Sequence, residues 1–169
     1  MIYVIKNKIV SLGASSTVKD EAGNAKFFVK GKIFTFTKKK YVMDVSKSTT
    51  YYTVRNKFFH IFLPKVFIVD AEGKKIMMLK KKNLFSFKQS FACIPMNDSK
   101  LDISIDGDYI SRNCTIIENG TPIARIRRNF NLVKDSFLLD VFDDANAPLA
   151  IAILIAFDNY YDKLLDQDR

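Results

Sequence analysis

A short acidic turn recurs along this chain, and each time it feeds a strand that ends in a basic, aromatic-rich block. The clearest copies are Asp20-Glu21-Ala22-Gly23, leading to Lys32-Ile33-Phe34-Thr35-Phe36, and Asp70-Ala71-Glu72-Gly73, leading to Asn83-Leu84-Phe85-Ser86-Phe87. A looser copy starts at Asp44 and reaches Lys57-Phe58-Phe59-His60-Ile61. A late one runs from Glu118-Asn119-Gly120 to Arg128-Asn129-Phe130-Asn131-Leu132, and Lys8-Ile9-Val10-Ser11-Leu12 stands as a half-copy near the start. In such a turn the carboxylate accepts backbone N–H groups and the glycine supplies the positive φ. The repeat therefore predicts an all-β architecture built from one hairpin unit.

Runs rich in Val, Ile, Phe, Tyr and Thr place strands near 2–5, 8–12, 16–20, 25–31, 33–37, 41–45, 51–56, 58–62, 66–70, 75–81, 84–88, 90–95, 101–105, 112–117, 122–128, 130–134 and 137–141. Some neighbours are expected to merge. The 15 Phe and 7 Tyr suit strands, where aromatic rings pack on a half-buried pleated surface. The basic block breaks strict alternation, as in Lys57-Phe58-Phe59-His60-Ile61, which predicts a bulge or bend there. Asp106-Gly107 reads as a tight turn.

Two kinds of turn alternate. Carboxylate turns are Asp20–Gly23, Asp44–Ser48, Asp70–Gly73 and Glu118–Gly120; lysine turns are Thr37-Lys38-Lys39-Lys40, Pro64-Lys65, Lys88-Gln89 and Lys134-Asp135. In an up-and-down meander alternate turns share an end, so lysines gather at one end of the molecule and carboxylates at the other. Charge is also uneven along the chain. Residues 1–92 carry 19 Lys/Arg against 5 Asp/Glu, whereas residues 93–169 carry 8 against 13. The net +9 thus belongs to the first half and favours anionic partners.

The tail changes character. Ala147-Pro148-Leu149-Ala150-Ile151-Ala152-Ile153-Leu154-Ile155-Ala156-Phe157 is apolar on every helical face, with Asn146 placed as N-cap and Asp143 and Asp144 at the positive helix end. A helix apolar all round must be enclosed. Its uncharged run falls short of the ~20 residues that span a bilayer, so protein rather than lipid is expected to enclose it, and no transmembrane segment is expected.

Catalytic chemistry finds little to work with. His60 occupies the repeat slot of Ser11, Thr35, Ser86 and Asn131, the place of an ordinary polar residue. One histidine and no Cys-x-x-Cys pair give no His/Cys metal site, and no phosphate-cradling glycine loop or Gly-x-Ser-x-Gly elbow is present. No catalytic residue, cofactor or metal is assigned. Cys93 and Cys114 do not form a disulfide framework, and no secretory signal opens the chain; both point to a cytoplasmic protein with inert thiols.

Taken in order, Val18-Lys19-Asp20-x-x-Gly23, Val29-Lys30-x-Lys32-Ile33-Phe34-Thr35-Phe36, Asp70-x-x-Gly73, Leu79-Lys80-x-Lys82, Phe85-Ser86-Phe87, Ile105-x-Gly107-Asp108-Tyr109 and the Ala147–Phe157 helix resemble the LURP-one-related family. More narrowly, they resemble its small bacterial-type members, within the Tubby C-terminal-like superfamily. The resemblance covers nearly the whole chain. It implies a closed antiparallel barrel of about 12 strands enclosing a hydrophobic C-terminal α-helix, here near 147–166, in a single domain over 1–169. Relatives include Tubby domains that bind phosphoinositides through a basic surface, and phospholipid scramblases. The Tubby lipid-binding residues do not align onto this chain, so none is carried over.

The functional expectation is a non-enzymatic, cytoplasmic binding module, peripheral to the membrane, whose lysine-rich end meets anionic lipid headgroups. The candidate residues are Lys38, Lys39, Lys40, Lys65, Lys88 and Lys134. The alternative is a protein-interaction or scaffold domain with no lipid ligand. Nucleic-acid binding stands behind both, because no known reading motif accompanies the charge.

Overall fold

The computed structural model describes residues 1–6, 15–32, 39–56, 65–81, 91–108, 113–128 and 136–167. These form twelve strands: β1 (Ile2–Lys6), β2 (Ser16–Asp20), β3 (Ala25–Lys32), β4 (Lys39–Asp44), β5 (Thr50–Asn56), β6 (Val66–Val69), β7 (Lys75–Lys81), β8 (Phe91–Pro95), β9 (Ile103–Asp108), β10 (Asn113–Glu118), β11 (Thr121–Arg128) and β12 (Ser136–Val141). A short 3₁₀ turn, Asp144–Asn146, leads into α1 (Ala147–Gln167). Each described strand coincides with a predicted segment to within a few residues. The predicted segments 8–12, 33–37, 58–62, 84–88 and 130–134 lie outside the described residues, as does His60.

Every strand pairs antiparallel with its neighbours in the order β8-β7-β6-β5-β4-β3-β2-β1-β12-β11-β10-β9. The first strand lies beside the last, with Ile2 opposite Asp140 and Lys6 opposite Ser136. That pairing turns a meander into a nearly closed barrel. Period-two alternation sends Val18, Val29, Val42, Val54, Val66, Met77, Ile116, Ile126 and Leu139 inward, all with no exposed surface.

The space they enclose is filled by α1. Ala147 and every residue from Ala150 to Phe157 are wholly buried, which only a helix surrounded by wall can achieve. It packs mainly on β5 and β6 and also touches β4, β7, β11 and β12. Asp143 caps the 3₁₀ turn that leads into the helix: its Oδ1 accepts from the Ala145 N–H at 3.0 Å. Tyr3 of β1 donates to Asp144 Oδ1 at 3.3 Å, and the Met1 ammonium lies 3.4 Å from the same oxygen. The helix start is thereby tied to the first strand.

Register shifts fall at Val18/Lys19, Val42/Met43, Ile68/Val69 and Ile116/Ile117, each beside a carboxylate turn. The bulges expected at the basic blocks lie outside the described residues. One expectation is corrected. Asp106-Gly107 is not a turn but part of β9, opposite Thr115 and Cys114. Gly107 has φ +105°, and a Cβ there would sit 2.6 Å from the Asn113 carbonyl oxygen. The glycine serves a close strand–strand approach, not a reversal.

Candidate anion-binding surface

Strict alternation of hairpins puts the β2–β3, β4–β5, β6–β7 and β10–β11 turns at one end of the barrel, so the carboxylate turns do gather there. Two of them are near-identical devices. Asp20 Oδ1 accepts from Asn24 N–H at 2.8 Å and Asp70 Oδ1 from Lys74 N–H at 2.7 Å, with Gly23 and Gly73 at φ +86° and +84°. The third puts Lys47 at φ +64° in the glycine place, and Asp44 accepts from Thr49 N–H at 2.7 Å. Hydrogen bonds from the Ser46 hydroxyl and then the Thr49 N–H hold the Asp44 carboxyl below the usual carboxylate range. The fourth is a different object: Asn119 and Gly120, both at positive φ, make a two-residue hairpin turn. In the first three turns Asp20, Asp44 and Asp70 are thus each committed to a backbone donor.

Three of the six candidate lysines, Lys39, Lys40 and Lys65, lie among the described residues. Lys38, Lys88 and Lys134 lie outside the described residues. Lys39 and Lys65 stand at the ends of β4 and β6 opposite the carboxylate turns, each half-buried. Lys40 is only 4% exposed and points inward with Val42, because successive strand residues face opposite sides. The expected surface run of adjacent lysines is therefore divided by the wall itself.

What the ladder assembles instead is a row across the outside of three strands. Lys32 of β3 lies opposite Lys39 of β4, and Lys39 opposite Arg55 of β5. Residues directly opposite in antiparallel strands sit about 4.5–5.5 Å apart. Lys30 adds a charge one step along the same face, beside Tyr41. None of these cations has a carboxylate partner among the described residues. Beyond Arg55 the row turns apolar through Phe67, Met78 and Ile94. Phe67 is itself covered to 8% exposure, in part by the Lys75 ammonium 4.9 Å from its ring centre.

The other wall behaves differently. Arg125 lies between Thr115 and Asp140, Thr115 lies opposite Asp106, and Arg127 pairs with Asp140 at 3.5 Å. Its basic cluster is interleaved with acids. Cys93 and Cys114 are free thiols. Burial, reinforced by Asp102 near Cys93 and Asp108 near Cys114, pushes each up to about 12. Among the described residues no group of three His, Cys, Asp or Glu converges on a point, and no helix is long and apolar enough to cross a membrane.

Comparison with known proteins agrees with this architecture. The profile of the LURP-one-related family matches residues 1–158. An X-ray structure of a protein from Arabidopsis thaliana superposes with a TM-score of 0.55 at 19% identity, over 90% of this chain and 88% of that one, which establishes a shared fold. No curated protein matches the sequence. With the family profile running from the first strand into the core helix, the chain belongs to the LURP-one-related family.

Proposed function

We propose that this barrel is a non-enzymatic module that docks on anionic membrane surfaces through the outer wall of β3, β4 and β5. The observation that carries the reading is the row Lys32–Lys39–Arg55, which has no carboxylate partner among the described residues. Like charges placed directly opposite one another in a sheet destabilise it, and a layer of anionic headgroups would turn that cost into attraction. A sheet wall also spreads its charges over a broad face, which suits an extended surface better than a pocket. The surplus of Lys/Arg in residues 1–92 supports the same partner. Anionic lipid is concentrated on the cytoplasmic leaflet, which fits a cytoplasmic protein peripheral to the membrane.

Co-sedimentation with vesicles of phosphatidylcholine, with and without phosphatidylserine, tests this. Binding should require the anionic lipid and weaken as salt shortens the screening length. Each basic residue at such a surface contributes about 1 kcal/mol, so the triple variant Lys32→Gln, Lys39→Gln, Arg55→Gln should partition roughly a hundredfold less. Partitioning that ignores phosphatidylserine, or survives the triple change, refutes the assignment.

A further inference from the structure

At Arg55 the outer wall changes from cationic to apolar. Phe67 of β6 lies opposite Arg55, Met78 of β7 opposite Phe67, and Ile94 of β8 opposite Met78. Alternation sets this row outside, because the chain neighbours Val66, Ile68, Met77 and Leu79 are wholly buried within the barrel. Met78 and Ile94 are half-buried there.

The patch has a basic rim. Arg55 bounds it on β5. Lys65 precedes the inward Val66, and Lys80 follows the inward Leu79, which lies opposite Val66. These two lysines therefore bound the patch toward the end of the barrel away from the carboxylate turns. Toward those turns stands Lys75, its ammonium 4.9 Å from the Phe67 ring centre. β6, β7 and β8 contain no Asp or Glu. Each rim side chain joins a long apolar stem to a charged head, so the stem lies along the patch while the head reaches away from it.

We propose that the outer face of β6, β7 and β8 enters the interface of an anionic bilayer, with Phe67, Met78 and Ile94 against the first acyl carbons and the basic rim drawn up to the phosphates. The inference rests on the membrane reading above and adds to it a depth and a facing. A bilayer offers phosphates directly above apolar carbon, the order that this rim and patch require. The wall is also convex, so a soft surface that yields around it makes more contact than a rigid one. On docking, Lys75 exchanges the Phe67 ring for a phosphate, which turns the ring toward lipid.

The chain contains no tryptophan, so Met78→Trp places a single selectively excited fluorophore on this face. Val4→Trp places one on β1, across the barrel from β7, at a half-buried outward site opposite Leu138. On vesicles of phosphatidylcholine and phosphatidylserine, M78W emission should shift to the blue and be quenched by lipids brominated high on the acyl chains. V4W should do neither. If M78W lacks the parent's circular dichroism, Ile94→Trp replaces it. Met78→Gln with Ile94→Gln should lower partitioning about tenfold, in the same proportion as salt rises, since apolar burial is not screened. Vesicle binding in which neither fluorophore shifts, or both shift alike, overturns the inference and leaves the membrane reading standing. No binding by the parent chain overturns both. A blue shift that follows protein concentration without lipid assigns the face to a second copy and also overturns the inference.

Discussion

Single residues in this protein are read correctly only once their face of the strand is known. Lys39 and Lys40 are neighbours in sequence, yet one joins a cationic surface row and the other is 4% exposed inside the wall. Lys47 shows the opposite case, a residue whose backbone is unusual and whose side chain is not. It takes the left-handed φ of +64° that glycine fills in the sister turns, while its ammonium rests 4.2 Å from the Phe28 ring centre. Cys93 and Cys114 give a direct test at this scale. Thiols held at about 12 carry almost no thiolate near neutrality. Iodoacetamide at pH 8 should leave both unmodified in the native protein and label both on unfolding, read by mass spectrometry. The sign of the linkage follows. Folded values above the unfolded thiol's pKa of about 8.5 mean that stability drawn from these groups is intact below that pH. It is lost as pH rises toward 12.

Among the elements, α1 and the carboxylate hairpins do different work. The hairpins set local geometry: a carboxylate ties down the chain reversal, a positive φ completes it, and a register shift beside each turn bends the strand pair. The helix supplies the shared core. Every residue from Ala150 to Phe157 is fully buried, a run of more than two helical turns, so no face of it is spared for solvent. Replacing Ile153 with Asp places an unpaired charge in that core, at a cost of several kcal/mol, against a total stability on the order of 5–15 kcal/mol. The I153D chain should lose its β-sheet circular dichroism and its cooperative thermal transition. If it stayed folded, the helix would not be the core on which the barrel closes.

For the whole molecule the decisive property is the distribution of charge between two walls. One wall concentrates Lys30, Lys32, Lys39 and Arg55 with no carboxylate partner among the described residues, while the other interleaves Arg125 and Arg127 with Asp106 and Asp140. Net charge alone would treat these basic residues alike. The geometry predicts that Arg125→Gln with Arg127→Gln changes vesicle partitioning by no more than a fewfold. The matching changes on β3–β5 should nearly abolish it. Equal losses in the same co-sedimentation assay would mean that only total charge matters.

Much of the architecture was legible in the residues because its causes are local. Turn carboxylates and glycines sit a fixed few residues apart, strand patterning has period two, and a helix apolar on all sides admits one fate. The Asp106-Gly107 pair misled because a glycine required for close strand approach carries the same signature as one required for a turn. The candidate site was only partly legible. Lys39 was named, but Lys32 and Arg55 lie far from it in sequence, and no local pattern says they are neighbours. By itself, then, the sequence determined the hairpin unit, the enclosed helix and the surplus of basic charge in the first half of the chain. Which lysines face outward together and which one is buried were decided by the tertiary structure, because register between distant strands is set by the packing of the whole barrel.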